Sequence, residues 1–250
     1  MVIDCHVHIQ GSYGSPDDRM GYMLEYADRA GIDRLVLSLG TSRAHRPDMS
    51  DVSESNDMVR EAVEKYPERY IGFCYLNPCY LYDSLDEIER CIVDGPFTGI
   101  KLWIALHCNE PNLDPICERA AQLGVPILQH TWLKITGNNP SEPTPFHLAE
   151  LAARHPDVDF ILGHSGGNWE MGYRIVQSLP NVYPEVSGGD PELGQTETAV
   201  AICGADRIVY GSDAPGRSFA SQIAKVRGAD ISEEDRAKIL GGNMQRMLGL

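Results

Sequence analysis

Along the chain, short apolar runs alternate with stretches whose apolar residues recur every three or four positions. The first run, Val2-Ile3-Asp4-Cys5-His6-Val7-His8, fits no helical period and reads as a strand over 2–8. Similar runs at 35–39, 70–76, 99–103, 125–130, 159–164, 181–187 and 207–213 complete eight predicted strands. Amphipathic spacing between them predicts helices over 17–30, 56–66, 81–94, 114–124, 146–155, 168–179 and 191–203. Two more helices are predicted at 217–227 and 233–248. In the first helix Met20, Met23, Leu24, Ala27 and Ala30 form the apolar stripe, with Asp17 and Asp18 at the start and Gly31 after the end. Polar loops lie at 10–16, 40–55 and 132–145, and the last two are long enough to read as walls of an active site. Strands alternating with helices predict a parallel sheet with crossover helices. Eight such units in 250 residues predict an α/β fold, a single (β/α)8 TIM barrel spanning 1–250 as one domain.

Composition narrows the class of partner. The formal net charge is −15, from 21 basic and 36 acidic residues, which argues against nucleic acid or an anionic membrane but says little about the substrate, expected to be a small molecule. Seven cysteines are scattered without a Cys-x-x-Cys pair and read as small buried residues in a reducing compartment. No secretory segment opens the chain, because Asp4, His6 and His8 interrupt its first apolar run. No apolar stretch nears the ~20 residues that span a bilayer, and a cytoplasmic location is expected. A homo-oligomer is left open.

The chemistry gathers where strands end. His6 and His8, two apart on a strand, point to the same face and make half of a metal site. Strand four carries Lys101, strand five ends in His130, strand six in His164 and strand eight in Asp213. In a barrel these ends converge on one rim, where reactive groups sit.

The runs IDCHVH, GIKLW, QHT, LGHSGG and YGSDAP, in that order, resemble the amidohydrolase superfamily. The resemblance is to its amidohydrolase-2 branch, which holds hydrolases, sugar lactonases and decarboxylases related to aminocarboxymuconate semialdehyde decarboxylase. It covers nearly the whole chain, including the closing ILGGNMQRML. It implies that His6, His8, His130 and Asp213 hold one divalent ion, zinc, whose bound water loses a proton near neutral pH. It gives Asp213 the catalytic proton transfer, and His164 either a second ion or a hydrogen bond to the substrate oxyanion. Lys101 has two readings: a carboxylated bridge between two ions, or a charged lysine for an anionic group. Where the family often has His-Pro after GIKL, this chain has Trp103-Ile104.

Further candidates for the substrate pocket are Trp103, Trp132, Glu185 and Arg217. Glu185 is expected to face the interior by parity with Tyr183 and Ser187, as an acceptor behind the ligands or as a catalytic group, and Trp132 and Trp169 either to wall the rim or to pack loops. Arg217 is a candidate two-donor clamp for a carboxylate. Arg43 and His45 lie in the long second loop, Arg174 is more remote, and His107, His147 and His155 read as structural or exposed. The leading expectation is a metal-dependent hydrolase using a metal-activated water on a small amide or lactone. The alternative is a metal-dependent, non-oxidative decarboxylase of a small carboxylate, which uses the same ligands. A barrel that only binds, and a phosphoesterase opening with His-x-His, fit the ligand set less well.

Overall fold

β1 (Ile3–Val7) is buried at every position, as a strand covered on both faces must be. The protein is described here by a computed structural model at residues 1–9, 14–39 and 45–250. Among these residues β1 is followed by β2 (Arg34–Leu37), β3 (Tyr70–Leu76), β4 (Phe97–Leu102), β5 (Ile127–Gln129), β6 (Phe160–Leu162) and β7 (Val182–Pro184). They pair in sequence order, all parallel, in one seven-stranded sheet.

The expected eighth strand is not a regular strand; only the irregular segment 208–214 is found there. It still touches both edges of the sheet. Val209 N donates to Pro184 O at 3.1 Å and Val186 N to Val209 O at 3.1 Å. On the other side Cys5 N donates to Tyr210 O at 3.0 Å, Asp213 N to His6 O at 2.8 Å and His8 N to Ala214 O at 2.8 Å. The ladder is interrupted because Asp4 Oδ1, buried in the interior, takes Ser212 N at 2.9 Å. Asp213 then turns into the left-handed region at φ 63°.

Helices cover the outer face: α1 (Pro16–Arg29), α2 (Met49–Lys65), α3 (Leu81–Ile88), α4 (Asp114–Leu123), α5 (Pro145–Arg154), α6 (Trp169–Val176), α7 (Gln195–Cys203) and α8 (Phe219–Arg227). α1 begins as its sequence suggests, with a reciprocal cap between Ser15 and Asp18 and Pro16 in the first turn. α2 begins seven residues before the expected 56. Asp48 and Asp51 form another reciprocal cap, and the buried face includes Ser55 and Asn56, which an apolar pattern does not register. Asn56 is satisfied in the core: its Nδ2 donates to Tyr75 O at 2.9 Å and Glu87 Oε1 at 2.8 Å, and its Oδ1 accepts from Tyr75 N at 2.8 Å. Much of the expected loop 40–55 is therefore helix, and its residues 40–44, Arg43 included, lie outside the described residues.

The expected closing helix 233–248 is α9 (Glu233–Ala237), a wider turn at Lys238–Gly242 and α10 (Asn243–Leu248). α10 places Met244 in the interior cluster with Ile3, Cys5, Val36, Ile71, Phe73, Leu128, Ile161 and Val209. This cluster, filled from alternate positions of the strands, is packed rather than hollow. The larger core lies between sheet and helices. Among the described residues no helix is long and apolar enough to cross a membrane.

Candidate metal centre

A cavity of about 220 Å³ opens beyond the C-terminal ends of the strands. His6, His8, Lys101, His130, His164 and Asp213 line it, with Trp103, Trp132, Leu39, Gly216 and Arg217 around them. His6 and Asp213, 207 positions apart in the chain, are thus brought to one place, as the strand-end reading requires. A wider hollow of about 680 Å³ lies at the other ends of the strands, lined by Met1, Asp33, Arg34 and Arg69 among others. No histidine or cysteine lines it.

His6 and His8 share a face, as their spacing predicts. Nε2 of His8 is 3.4 Å and Nε2 of His6 is 4.0 Å from Asp213 Oδ1. These three side chains bring one ligand atom each to within 4.8 Å of one another, as do His6, His164 and Glu185. His130 is in neither group. It meets His164 instead, with Nδ1 3.1 Å from His164 Nε2, and the rings cross edge to face. Two expected strand ends fall short of the site: β5 stops at Gln129, just before His130, and β6 at Leu162, with His164 following in the left-handed region at φ 59°. A non-glycine residue held there is strained, and such strain collects at functional sites.

The outer nitrogen of each imidazole is fixed by a partner. His8 Nδ1 lies 2.8 Å from the Ser38 carbonyl, which only accepts, so this nitrogen carries the proton. In the neutral ring, Nε2 then turns a lone pair toward the Asp213 carboxylate. His6 Nδ1 faces both Glu185 oxygens at 3.0 Å, leaving Nε2 to accept from Lys101 Nζ at 2.7 Å. His164 Nδ1 faces Ser187 Oγ at 3.1 Å, and His130 Nε2 faces Glu142 Oε1 at 3.1 Å. Burial pushes His6 and His164 well below the usual imidazole range, and it lowers His130 as well. Burial pushes the Asp213 carboxyl up, but His164, His8 and His6 outweigh it and hold it below its ordinary value. Bare imidazole nitrogens converging on an ionised carboxylate are the donor set of a divalent cation, and they fit one here.

Lys101 is buried, and burial lowers its amine to about 8 against the opposing pull of Glu185 and Asp213. Glu185 is fully buried behind the ligand layer. Besides His6 it accepts from His164 N at 2.9 Å, and it does not line the cavity. Gly211 leaves room for it: a Cβ there would stand 2.0 Å from Glu185 Oε1 and 3.0 Å from His6 Cβ. Trp132 stacks beside His130 and His164, and Trp103 meets the His45 ring edge to face. Arg217 reaches the cavity, but its Nε donates to Gly188 O at 2.7 Å and its Nη1 to Gly216 O at 3.0 Å. Its fork is therefore partly engaged with backbone, and its Nη2 hydrogens take no part in these two bonds.

Three other histidines stay away from the cavity: His107 packs on His147, and His155 pairs with Asp114. Arg174 pairs with Glu170 on the exposed side of α6. The sequence reading missed Glu142. It lies in the 132–145 loop, buried, held by Lys134 Nζ at 2.7 Å and Asn139 N at 2.8 Å. No spacing rule connects it to His130, twelve residues earlier, so no local signal marks it.

Comparison with known proteins bears on the reaction. Gamma-resorcylate decarboxylase of Rhizobium sp. (strain MTP-10005) is 24% identical over 281 aligned positions, covering 91% of this chain and 86% of that protein. The 2-amino-3-carboxymuconate-6-semialdehyde decarboxylase of Dictyostelium discoideum is 23% identical over 235 positions, covering 78% and 65%. The crystal structure of a dihydroxybenzoic acid decarboxylase from Polaromonas sp. JS666, with bound manganese and the inhibitor 2-nitroresorcinol, superimposes with a TM-score of 0.81. It is 20% identical and covers 100% of this chain and 97% of that one, a likeness of fold. These relatives are decarboxylases, which overturns the leading expectation of amide or lactone hydrolysis. The amidohydrolase family profile matches residues 3–250, and the chain belongs to that family, in the branch its motifs resemble.

Proposed function

We propose that this protein is a metal-dependent, non-oxidative decarboxylase of a small, flat carboxylate. The observation that carries the reading is the convergence of bare histidine nitrogens, Asp213 and Lys101 in one cavity walled by Trp103 and Trp132. The decarboxylase names of its relatives choose this chemistry among those the ligands permit. In this reading segment 208–214 is the eighth stave of a closed (β/α)8 barrel, formed by residues 1–250 as one domain.

His6, His8, His130 and Asp213 would hold the ion, manganese or zinc, and His164 would offer a hydrogen bond to the substrate. When bound, it supplies positive charge to substrate oxygens and helps the leaving carboxylate to orient. The protein's own groups do the rest. Trp132 and Trp103 offer flat apolar faces that fix a conjugated ring or chain. Lys101, charged and buried, offers an ammonium to an anionic oxygen. As the C–C bond breaks, carbon dioxide leaves and the electron pair stays on carbon, which then takes a proton. Asp213, turned into the cavity and next to His8, is placed to take a proton from a water or a substrate hydroxyl and pass it to that carbon.

The full chain, loaded with Mn²⁺ or Zn²⁺, is tested against hydroxybenzoates and small unsaturated carboxylates while carbon dioxide release is followed. Release matched mole for mole by the protonated product, and abolished by a chelator, is the expected result. Turnover that survives complete removal of metal would overturn the proposal, as would hydrolysis of an ester or amide bond without carbon dioxide.

A further inference from the structure

His130 stands between two groups that treat its ring differently. On the outer side Nε2 lies 3.1 Å from Glu142 Oε1, and on the inner side Nδ1 lies 3.1 Å from His164 Nε2. His164 in turn places Nδ1 3.1 Å from Ser187 Oγ. An ionised carboxylate can only accept a hydrogen bond, so Nε2 of His130 must carry the ring proton. Nδ1 is then a bare acceptor for His164 Nε2–H, and His164 Nδ1 a bare acceptor for the Ser187 hydroxyl. Every donor points one way along the chain, and the direction is set at Glu142.

Glu142 is itself over-determined. Its Oε1 takes His130 Nε2 and Lys134 Nζ, the latter at 2.9 Å. Its Oε2 takes Lys134 Nζ at 2.7 Å and Asn139 N at 2.8 Å. The carboxylate is 3% exposed, so water does not compete for these positions. We infer that Glu142 is a positioning residue of the site: through His130 it decides which imidazole nitrogen offers a lone pair to the cavity. Its bearing on a cation rests on the proposed function above, whereas its control of the ring proton does not.

Glu142→Gln separates this role from a merely structural one. The amide keeps the size of the carboxylate and has one acceptor. Asn139 N and Lys134 Nζ both donate to the Oε2 position, so the amide oxygen settles there and the NH₂ turns to His130. His130 must then accept at Nε2 and carry its proton on Nδ1, and the whole chain to Ser187 reverses.

The test uses the full chain labelled with ¹⁵N-histidine and stripped of metal, with His130 assigned by its loss in His130→Gln. The wild type is expected to show a protonated Nε2 and a bare Nδ1 at His130, and Glu142→Gln the opposite tautomer. Titration with Mn²⁺ is expected to show affinity lowered about 10–100-fold in Glu142→Gln. Lys134→Met, which keeps the carboxylate on His130, is expected to retain the wild-type tautomer. A wild-type His130 protonated on Nδ1 would overturn the inference, and that measurement does not depend on any variant folding. So would a Glu142→Gln protein with the wild-type tautomer. Failure of the wild type to bind Mn²⁺ would instead sink the metal reading and leave the tautomer result standing.

Discussion

His8 Nε2 and Asp213 Oδ1 face each other at 3.4 Å, while on its other side His8 donates Nδ1–H to the Ser38 carbonyl at 2.8 Å. A divalent cation lying near both atoms would be held by an imidazole nitrogen and a carboxylate oxygen. The pairing is built by two elements far apart in sequence: β1 carries the histidine, and the irregular segment 208–214 turns the aspartate toward it.

Asp213→Asn removes the charge from this pair while preserving its shape. The backbone hydrogen bond from Asp213 N to His6 O is untouched, so the fold is expected to survive. Turnover is expected to fall about 10²–10⁴-fold, the range for loss of a positioned proton-transfer group. Rates of carbon dioxide release, with circular dichroism to verify folding, check this. Near wild-type rates would take Asp213 out of the mechanism.

Gly211→Ala tests the packing behind the ligands. Its Cβ would overlap Glu185 Oε1 and crowd His6 Cβ, and Glu185 has no exposed side to retreat to. A loss of about 1–3 kcal/mol is expected from overpacking, with weaker retention of Mn²⁺ as His6 is pushed from its place. Urea denaturation and metal content after dialysis measure the two effects.

Glu87→Gln probes the polar core beneath α2. Burial raises the Glu87 carboxyl, but Arg90 and Asn56 outweigh it and hold it below 4.5. A depressed carboxyl stabilises the fold above its unfolded pKa, and the contribution fades as pH falls through the lower folded value. The substitution is expected to cost about 1–3 kcal/mol at pH 7. It should also flatten the fall in stability as the pH drops below about 4.5. Denaturation midpoints at pH 7 and at acid pH, for both proteins, decide the matter.

Lys225 carries the opposite sign. Its Nζ is 3.2 Å from Gly189 O, and burial lowers its amine from 10.5 to about 8. Below about 8 the folded state holds the charge in a poor environment, and this penalty is relieved as pH rises from about 8 toward 10.5. Lys225→Met is therefore expected to raise stability at pH 7, by at most about 3 kcal/mol at about 1.4 kcal/mol per unit. It should also remove the alkaline rise. Thermal melting at pH 7 and pH 9.5 measures both.

Much of the site was legible because strand geometry is local. The two-residue period of β1 put His6 and His8 on one face, and parity turned Glu185 inward. The onset of α2 was legible only in its cap, Asp48 and Asp51, since its buried Ser55 and Asn56 hide the apolar stripe. The run Ile208-Val209-Tyr210 looked like a strand, yet Asp4 in the interior takes the Ser212 N–H that a regular ladder would use.

What the chain determined by itself is the set of groups that a strand period or a capping pair delivers to one end of a parallel sheet. Such rules act over two to four residues and need no distant partner. Tertiary structure alone decided that Glu142 backs His130, that Arg217 is partly engaged with backbone, and that His130 meets His164. Each of these depends on where a loop closes in space, and many partners separated in sequence compete to fill that space.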